Sequence, residues 1–398
     1  MSTISRQPQR MNLAALPPLT ALPPLTLYIH IPWCVRKCPY CDFNSHEQKG
    51  TSQERQYIDA LISDLDYTLP KIWGRRVYSI FFGGGTPSIF SARGIDDILA
   101  AVRARVSLEP DAEITLEANP GTFEAEKFRD FRAAGVNRLS IGIQSFNEAH
   151  LKALGRIHNR DEALRAIGIA QVNFDNINLD LMFALPNQTL AECEQDANTA
   201  LSFGTNHLSI YHLTLEPNTL FHRFPPPLPD DELAADMQEM IEQKLGAAGY
   251  RHYETSAYAK PKRECRHNLN YWRFGDYIGI GAGAHGKISF PDRITREARF
   301  KQPQAFMEKA ALGEAIQEAK MISSAELPFE FMLNALRLTD GFALSMFVER
   351  TGLPVTAITA TLDAAEAKGL VTRDHVFVKP TEKGRLFLNN LLEMFLPG

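Results

Sequence analysis

Between residues 25 and 215 short apolar runs alternate with longer amphipathic stretches, and this alternation narrows the folds open to the chain. The runs Leu27–Ile31, Val77–Phe82, Glu113–Glu117, Arg138–Ile143, Asn176–Met182 and His207–Leu215 have β-branched or aromatic cores and are too short for helices. Helical periodicity separates them near Glu54–Leu65, Gly94–Val106, Glu124–Ala134, Asp161–Val172 and Leu190–Phe203, with Thr122 and Thr189 standing where N-caps belong. Such repetition builds a parallel α/β sheet with right-handed crossovers, either curled into a partial (β/α)6 barrel or left open and doubly wound. In both arrangements ligands meet the sheet at the C-terminal ends of its strands.

The 398 residues exceed one ordinary core, so a second, smaller unit is expected. The chain is expected to divide into a mobile arm (1–24), the α/β barrel (25–250), an extension facing the ligand site (251–320) and a mostly helical end (321–398). The arm holds Ala-Leu-Pro-Pro-Leu-Thr twice, at Ala15–Thr20 and Ala21–Thr26, and its prolines interrupt every apolar run. No run of about 18 apolar residues exists to span a bilayer. The end reads as helix, strand pair at Leu370–Val378 and last helix at Glu382–Phe395, the outline of a winged helix. A net charge of −5 gives no reason to expect a nucleic-acid partner. Five cysteines, three of them within eight residues, do not make a secreted disulfide framework, and a cytoplasmic, reducing location is expected. Cys193, in a helical stretch, reads as a buried small apolar residue.

Those three cysteines follow the first strand as Cys34-Val-Arg-Lys-Cys38-Pro-Tyr40-Cys41. Three thiolates in a short loop suit three corners of an iron–sulfur cubane. A structural zinc ion is the competing reading, with His30 or His46 as a fourth ligand.

Polar groups recur where later strands stop. The second ends in Gly83-Gly84-Gly85-Thr86-Pro87, the third in Glu117-Ala118-Asn119-Pro120 and the fourth in Gln144-Ser145-Phe146; the fifth carries Asp180. Singly each reads as a cap or turn; four in succession point to a site at the sheet's mouth.

The CxxxCxxC spacing, with aromatic Tyr40 before the third cysteine, resembles the radical-SAM superfamily. That resemblance implies a 4Fe–4S cluster on Cys34, Cys38 and Cys41. Its fourth iron is left for S-adenosylmethionine, which the reduced cluster cleaves to a 5′-deoxyadenosyl radical. Tyr28-Ile-His-Ile-Pro, the Gly-Gly-Gly-Thr-Pro stretch, Gly142-Ile-Gln-Ser-Phe, Leu154-Gly-Arg156 and Asn178-Leu-Asp180-Leu-Met resemble the oxygen-independent coproporphyrinogen III dehydrogenase family over nearly the whole chain. Gly84, Gly85, Thr86, Glu117, Gln144, Arg156 and Asp180 are then expected around S-adenosylmethionine, with Tyr28 and Tyr40 beside the cluster.

Two features separate the chain from that enzyme. Phe43 stands where the dehydrogenase has a fourth cysteine, and the segment before Tyr28 is short and proline-rich. His267-Asn-Leu-Asn-Tyr-Trp272 resembles instead the haem-binding motif of the HemW-type haem chaperones. That resemblance implies His267 as a haem ligand, delivery of haem to membrane respiratory haemoproteins, an electron donor such as a flavodoxin, a possible homodimer, and work near the inner face of the membrane. Cys265 and His285 are alternative ligands. Coproporphyrinogen decarboxylation is the second reading, and a zinc-stabilised binding module the third.

Overall fold

The computed structural model describes residues 19–48, 53–72, 74–121 and 125–397. Six strands lie parallel and in chain order: β1 (Leu25–Ile31), β2 (Val77–Gly84), β3 (Leu108–Ala118), β4 (Arg138–Gln144), β5 (Ile177–Phe183) and β6 (His207–His212). Helices α1 (Glu54–Ile72), α2 (Ala92–Arg105), α3 (Ala125–Ala134), α4 (Arg160–Asn173) and α5 (Leu190–Ser202) join them. Neighbours that follow chain order wind in one direction, so the helices cover one face and leave the other concave. Among the described residues β1 and β6 do not pair with each other, and the sheet is a partial barrel.

The strands are buried on both faces, apolar toward the helices, where Leu27, Ile29, Ile80, Phe82, Leu116, Ile141 and Leu179 are all fully enclosed, and largely polar on the concave side, where Ser79, Thr115, Ser140, Asn178 and Ser209 lie. Two helices begin in complete capping boxes, Asn159 with Glu162 and Thr189 with Glu192, which satisfy backbone N–H groups that have no partner inside the helix. The expected cap Thr122 lies outside the described residues, as does most of the expected arm. Residues 19–24 are fastened by their backbone: Leu19 N donates to Pro291 O at 2.9 Å, and Pro24 O accepts from Asp276 N at 2.9 Å.

The sheet continues past β1. Asp276–Ile280 pairs with it in parallel, followed by the antiparallel strands His285–Ser289, Ile294–Arg299 and Ile316–Met321. Asp276 is buried there between Lys287 Nζ and Arg75 Nη1, each at 2.8 Å. A buried carboxylate without such partners would cost several kcal/mol, so this pairing fixes where the added strands sit.

Residues Tyr253–Gly286 read as strands and loops, yet Arg266–Trp272 is a helix. Its residues are weak helix formers and Cys265 makes no side-chain cap; tertiary packing decides. Asn270 Nδ2 donates to Asp276 O at 2.7 Å and to Thr26 Oγ1 at 3.2 Å, tying the helix to β1 and to the strand paired with it.

A second core, built on Phe274, Phe331, Phe347 and Leu362, belongs to the C-terminal region. There Leu344–Thr351 and Thr356–Ala367 precede the hairpin Val371–Arg373 and Phe377–Pro380, to which Phe342–Ala343 adds a strand. The last helix is two pieces, Glu382–Leu386 and Leu388–Glu393, broken at Phe387. No helix among the described residues is long and apolar enough to cross a membrane.

Candidate cofactor cavity and the cleft beside it

The cysteine loop is closed on itself. Trp33–Cys34 pairs with His46–Glu47, and Pro32 O and Cys34 O accept from His46 N at 2.7 Å and Gln48 N at 2.9 Å. The end of β2 is latched to it, with Gly85 N donating to Ile31 O at 2.7 Å and Thr86 N to Trp33 O at 2.8 Å. A Cβ on Gly85 would stand 2.5 Å from Trp33 O, so only glycine permits this approach.

Inside lies a cavity of about 290 Å3 at the strands' C-terminal ends. Cys34, Cys38, Cys41, Tyr40, Gly84, Gly85, Thr86, Glu117, Gln144, Arg156 and Asp180 all line it. Every expected cluster and S-adenosylmethionine residue except Tyr28 therefore faces one space. Tyr28 acts at one remove: its hydroxyl is 3.0 Å from His30 Nδ1, and His30 Nε2 is 2.9 Å from Asn44 O in the loop. Burial pulls the His30 value down to about 4, so the ring is neutral at ordinary pH and serves as a strut.

The three thiols are free. Among the described residues no three His, Cys, Asp or Glu side chains converge on a single ion. Burial pushes Cys34 up to about 11 and raises Cys41, so a bare thiolate is disfavoured and a bound cation would stabilise it. Free thiols around one cavity fit the corners of a cubane better than a mononuclear zinc site.

The strand ends carry the charge. Burial first, and then the nearby Asp180, raise Glu117 to about 8. Asp180 is also raised by burial, against the 2.9 Å bond from Ser140 Oγ and the 2.8 Å bond from Asn178 Nδ2. A cationic guest would favour the ionised form of both carboxyl groups. Arg156 lines the same space, its Nη2 donating to Asn119 Oδ1 at 2.7 Å and Gly142 O at 2.8 Å, its Nη1 3.6 Å from Cys38 Sγ. Its Nε–H is buried without a partner, a donor available to an anionic group.

Sequence reasoning gave no role to Asn119, which joins Thr86 Oγ1 (2.9 Å) to Arg156. It also missed Tyr211, Met182 and Asp196. Gln144 is held at φ 68° in a register shift between β4 and β5, a conformation costly for a residue with a Cβ. Asp196, on α5, clamps the turn that follows by accepting from Ser145 Oγ at 2.6 Å and Phe146 N at 2.8 Å.

A second, larger cleft of about 750 Å3 lies on the other side of the cysteine loop. Cys41, Phe43, Gly84 and Glu117 line both spaces. Phe43 is 62% exposed on the rim between them. The helix Arg266–Trp272 forms one wall through Tyr271 and Trp272.

His267 lies behind that wall. It is 1% exposed, with Nδ1 3.0 Å from Ser79 Oγ and Nε2 2.9 Å from the Tyr271 hydroxyl. Burial lowers its value to about 3. In this arrangement both ring nitrogens of His267, the residue that the resemblance puts forward as a haem ligand, have hydrogen-bond partners within the protein. Cys265 is fully buried, its Sγ 3.6 Å from Glu113 Oε1.

Residues 28–200 match the model of the radical SAM superfamily, and residues 322–387 match that of the HemN C-terminal domain. The haem chaperone HemW of Escherichia coli is 51% identical over 380 residues, covering 95% of this chain and all (100%) of its own length. HemW of Haemophilus influenzae is 49% identical over 94% of this chain and 98% of its own. The solved coproporphyrinogen III oxidase HemN of E. coli, a radical SAM enzyme, superposes with a TM-score of 0.80 at 22% identity, over 94% of this chain and 90% of its own, a likeness of fold.

Proposed function

The chain belongs to the HemW family of radical SAM proteins, and we propose that it is a haem chaperone, taking up haem and passing it to recipient haemoproteins. The observation that carries its cofactor half is one cavity in which three free thiols meet two buried carboxyl groups and an open guanidinium donor. In this reading Cys34, Cys38 and Cys41 hold a 4Fe–4S cluster. Glu117 and Asp180 receive the cationic and hydroxyl parts of S-adenosylmethionine, and Arg156 receives its carboxylate. Gly84, Gly85 and Thr86 let the ligand approach bare backbone, and Gln144 and Tyr40 close the cavity around it. When bound, the cluster supplies a low-potential electron to the sulfonium. The chain's own part is to orient the ligand and keep the loop dry through the Tyr28–His30–Asn44 strut.

Coproporphyrinogen decarboxylation is the disfavoured alternative, because Phe43 offers neither a thiolate nor a sulfur donor at the rim. The recipients in this proposal are membrane respiratory haemoproteins, met at the inner face of the membrane. A flavodoxin-like protein is the electron donor and a homodimer the working form.

The test is an anaerobic incubation of cluster-reconstituted protein with coproporphyrinogen III, S-adenosylmethionine and a low-potential reductant, alongside a haem titration. The expected result is no carbon dioxide and stoichiometric haem uptake. Formation of protoporphyrinogen IX would make the protein a biosynthetic enzyme instead.

A further inference from the structure

The larger cleft has the makings of a site for a planar, iron-bearing, doubly acidic ligand, and the haem chaperone reading needs such a site. Its volume falls in the range of drug-sized ligand pockets, about 300–1,000 Å3. Tyr271, Trp272 and Tyr277 supply aromatic surface. That surface is braced from behind: Tyr271 packs edge-on against Tyr277 with ring centres 4.6 Å apart, and Arg337 lies 4.3 Å over the Trp272 ring. The indole Nε1–H of Trp272 is buried with no hydrogen-bond partner.

Three histidines line the cleft. His30 is spent on Tyr28 and Asn44 O, and His46 Nε2 lies 3.2 Å from Asn44 Oδ1. His285 differs. Among the described residues its imidazole makes no hydrogen bond or ion pair, and it is exposed to the cleft. The glycine run before it serves to place it: Gly283 sits at φ +76°, and a Cβ there would meet Asn44 Nδ2 at 2.4 Å, so the strand turns back tightly against the cysteine loop. Lys301, also on the cleft wall and exposed, has a free ammonium group among the described residues.

We propose that haem occupies this cleft with the imidazole of His285 as its iron ligand and Lys301 at its propionate edge. The inference rests on the haem chaperone reading. His267 then serves as a positioning residue: through Nε2 it holds the Tyr271 wall, and it does not touch the iron. Ligation needs no redox step; a ring nitrogen lone pair of His285 fills an axial position of ferric haem.

The test is titration of the full-length protein with ferric haem, read by absorption and electron paramagnetic resonance, in wild type, His285→Ala and His267→Gln. Wild type is expected to take up haem with a histidine-ligated spectrum. His285→Ala should lose that signature, bind at least about ten-fold more weakly and recover the signature on adding imidazole. Metal-free protoporphyrin IX, which has no iron to ligate, should bind His285→Ala as it binds wild type, showing that the cleft is intact. His267→Gln should keep the wild-type signature. Loss of that signature in His267→Gln with its retention in His285→Ala would overturn the assignment and put the iron on His267. A wild type that binds no haem would instead defeat the chaperone reading itself.

Discussion

The two spaces on either side of Phe43 differ in kind, although they share Cys41, Gly84 and Glu117. The smaller is built from strand ends of the partial barrel and is crowded with ionisable groups: three thiols, two carboxyl groups, one guanidinium. The larger is assembled from segments distant in sequence, the cysteine loop, the helix Arg266–Trp272 and the turn before His285, and its walls mix aromatic rings with histidine, lysine and carboxyl side chains. The first suits a small, polar, cationic molecule on a cluster; the second suits a flat ligand with an acidic edge. A protein that uses a cofactor on a different ligand needs both, and needs them adjoining.

The hardest way to separate them is to remove the cluster. In Cys38→Ala the iron and sulfide of a reconstituted cluster should be lost almost entirely, while ferric haem still titrates into the neighbouring cleft. Parallel loss of haem capacity would mean the two spaces are one site.

Next in size is Glu117→Gln, which should weaken S-adenosylmethionine binding by about ten-fold, measured by equilibrium dialysis. The same residue gives a pH signature. Its folded-state value, about 8, lies above the unfolded value near 4.3, so the native protein holds a proton the unfolded chain releases. That contribution to stability is fully present below about pH 4 and is lost as the pH rises through about 8, at no more than about 1.4 kcal/mol per pH unit. Denaturant titrations of ligand-free protein should show this decline, and the part due to Glu117 should vanish in Glu117→Gln. An unchanged slope would mean the carboxyl is already ionised.

Asn44→Ala should affect both spaces. Its Nδ2 donates to Ala282 O at 2.9 Å and Lys301 O at 2.8 Å, joining the cysteine loop to the turn that carries His285. A loss of about 1–3 kcal/mol in stability is expected, with looser binding in both cavities. An effect confined to one would show that the loop is not their common support. The smallest effect is expected from Phe43→Ala, which should cost haem about 0.5–1.5 kcal/mol of aromatic contact and leave cluster iron content unchanged.

The contrast between the two spaces is also a contrast in legibility. Strand cores such as Ile29 and Ile141 announce themselves because β-branched and aromatic runs have few other uses, and the polar groups just past them follow from the strand-end rule. That is why eleven of the expected residues line one cavity. Asn119 is placed at a strand end by its sequence but its partners are not, and Asp196 stayed unread, because both hold other side chains, and an amide or acid so used looks in sequence like any surface residue. The larger cleft joins positions as far apart in the chain as Tyr28 and Asn334, which no local pattern encodes. His267 shows what a motif leaves out: its pattern is plain in sequence, but the partners of its ring, Ser79 and Tyr271, are visible only in the fold. The free ring of His285 could be found only once its neighbours were seen to be committed elsewhere.

The most direct test of the two-cavity account is S-adenosylmethionine binding to the cluster-reconstituted protein, measured by calorimetry with and without one equivalent of haem. The account predicts that both ligands are held at once, each at one per chain, with haem leaving the S-adenosylmethionine stoichiometry unchanged. Competitive displacement of one by the other would contradict it.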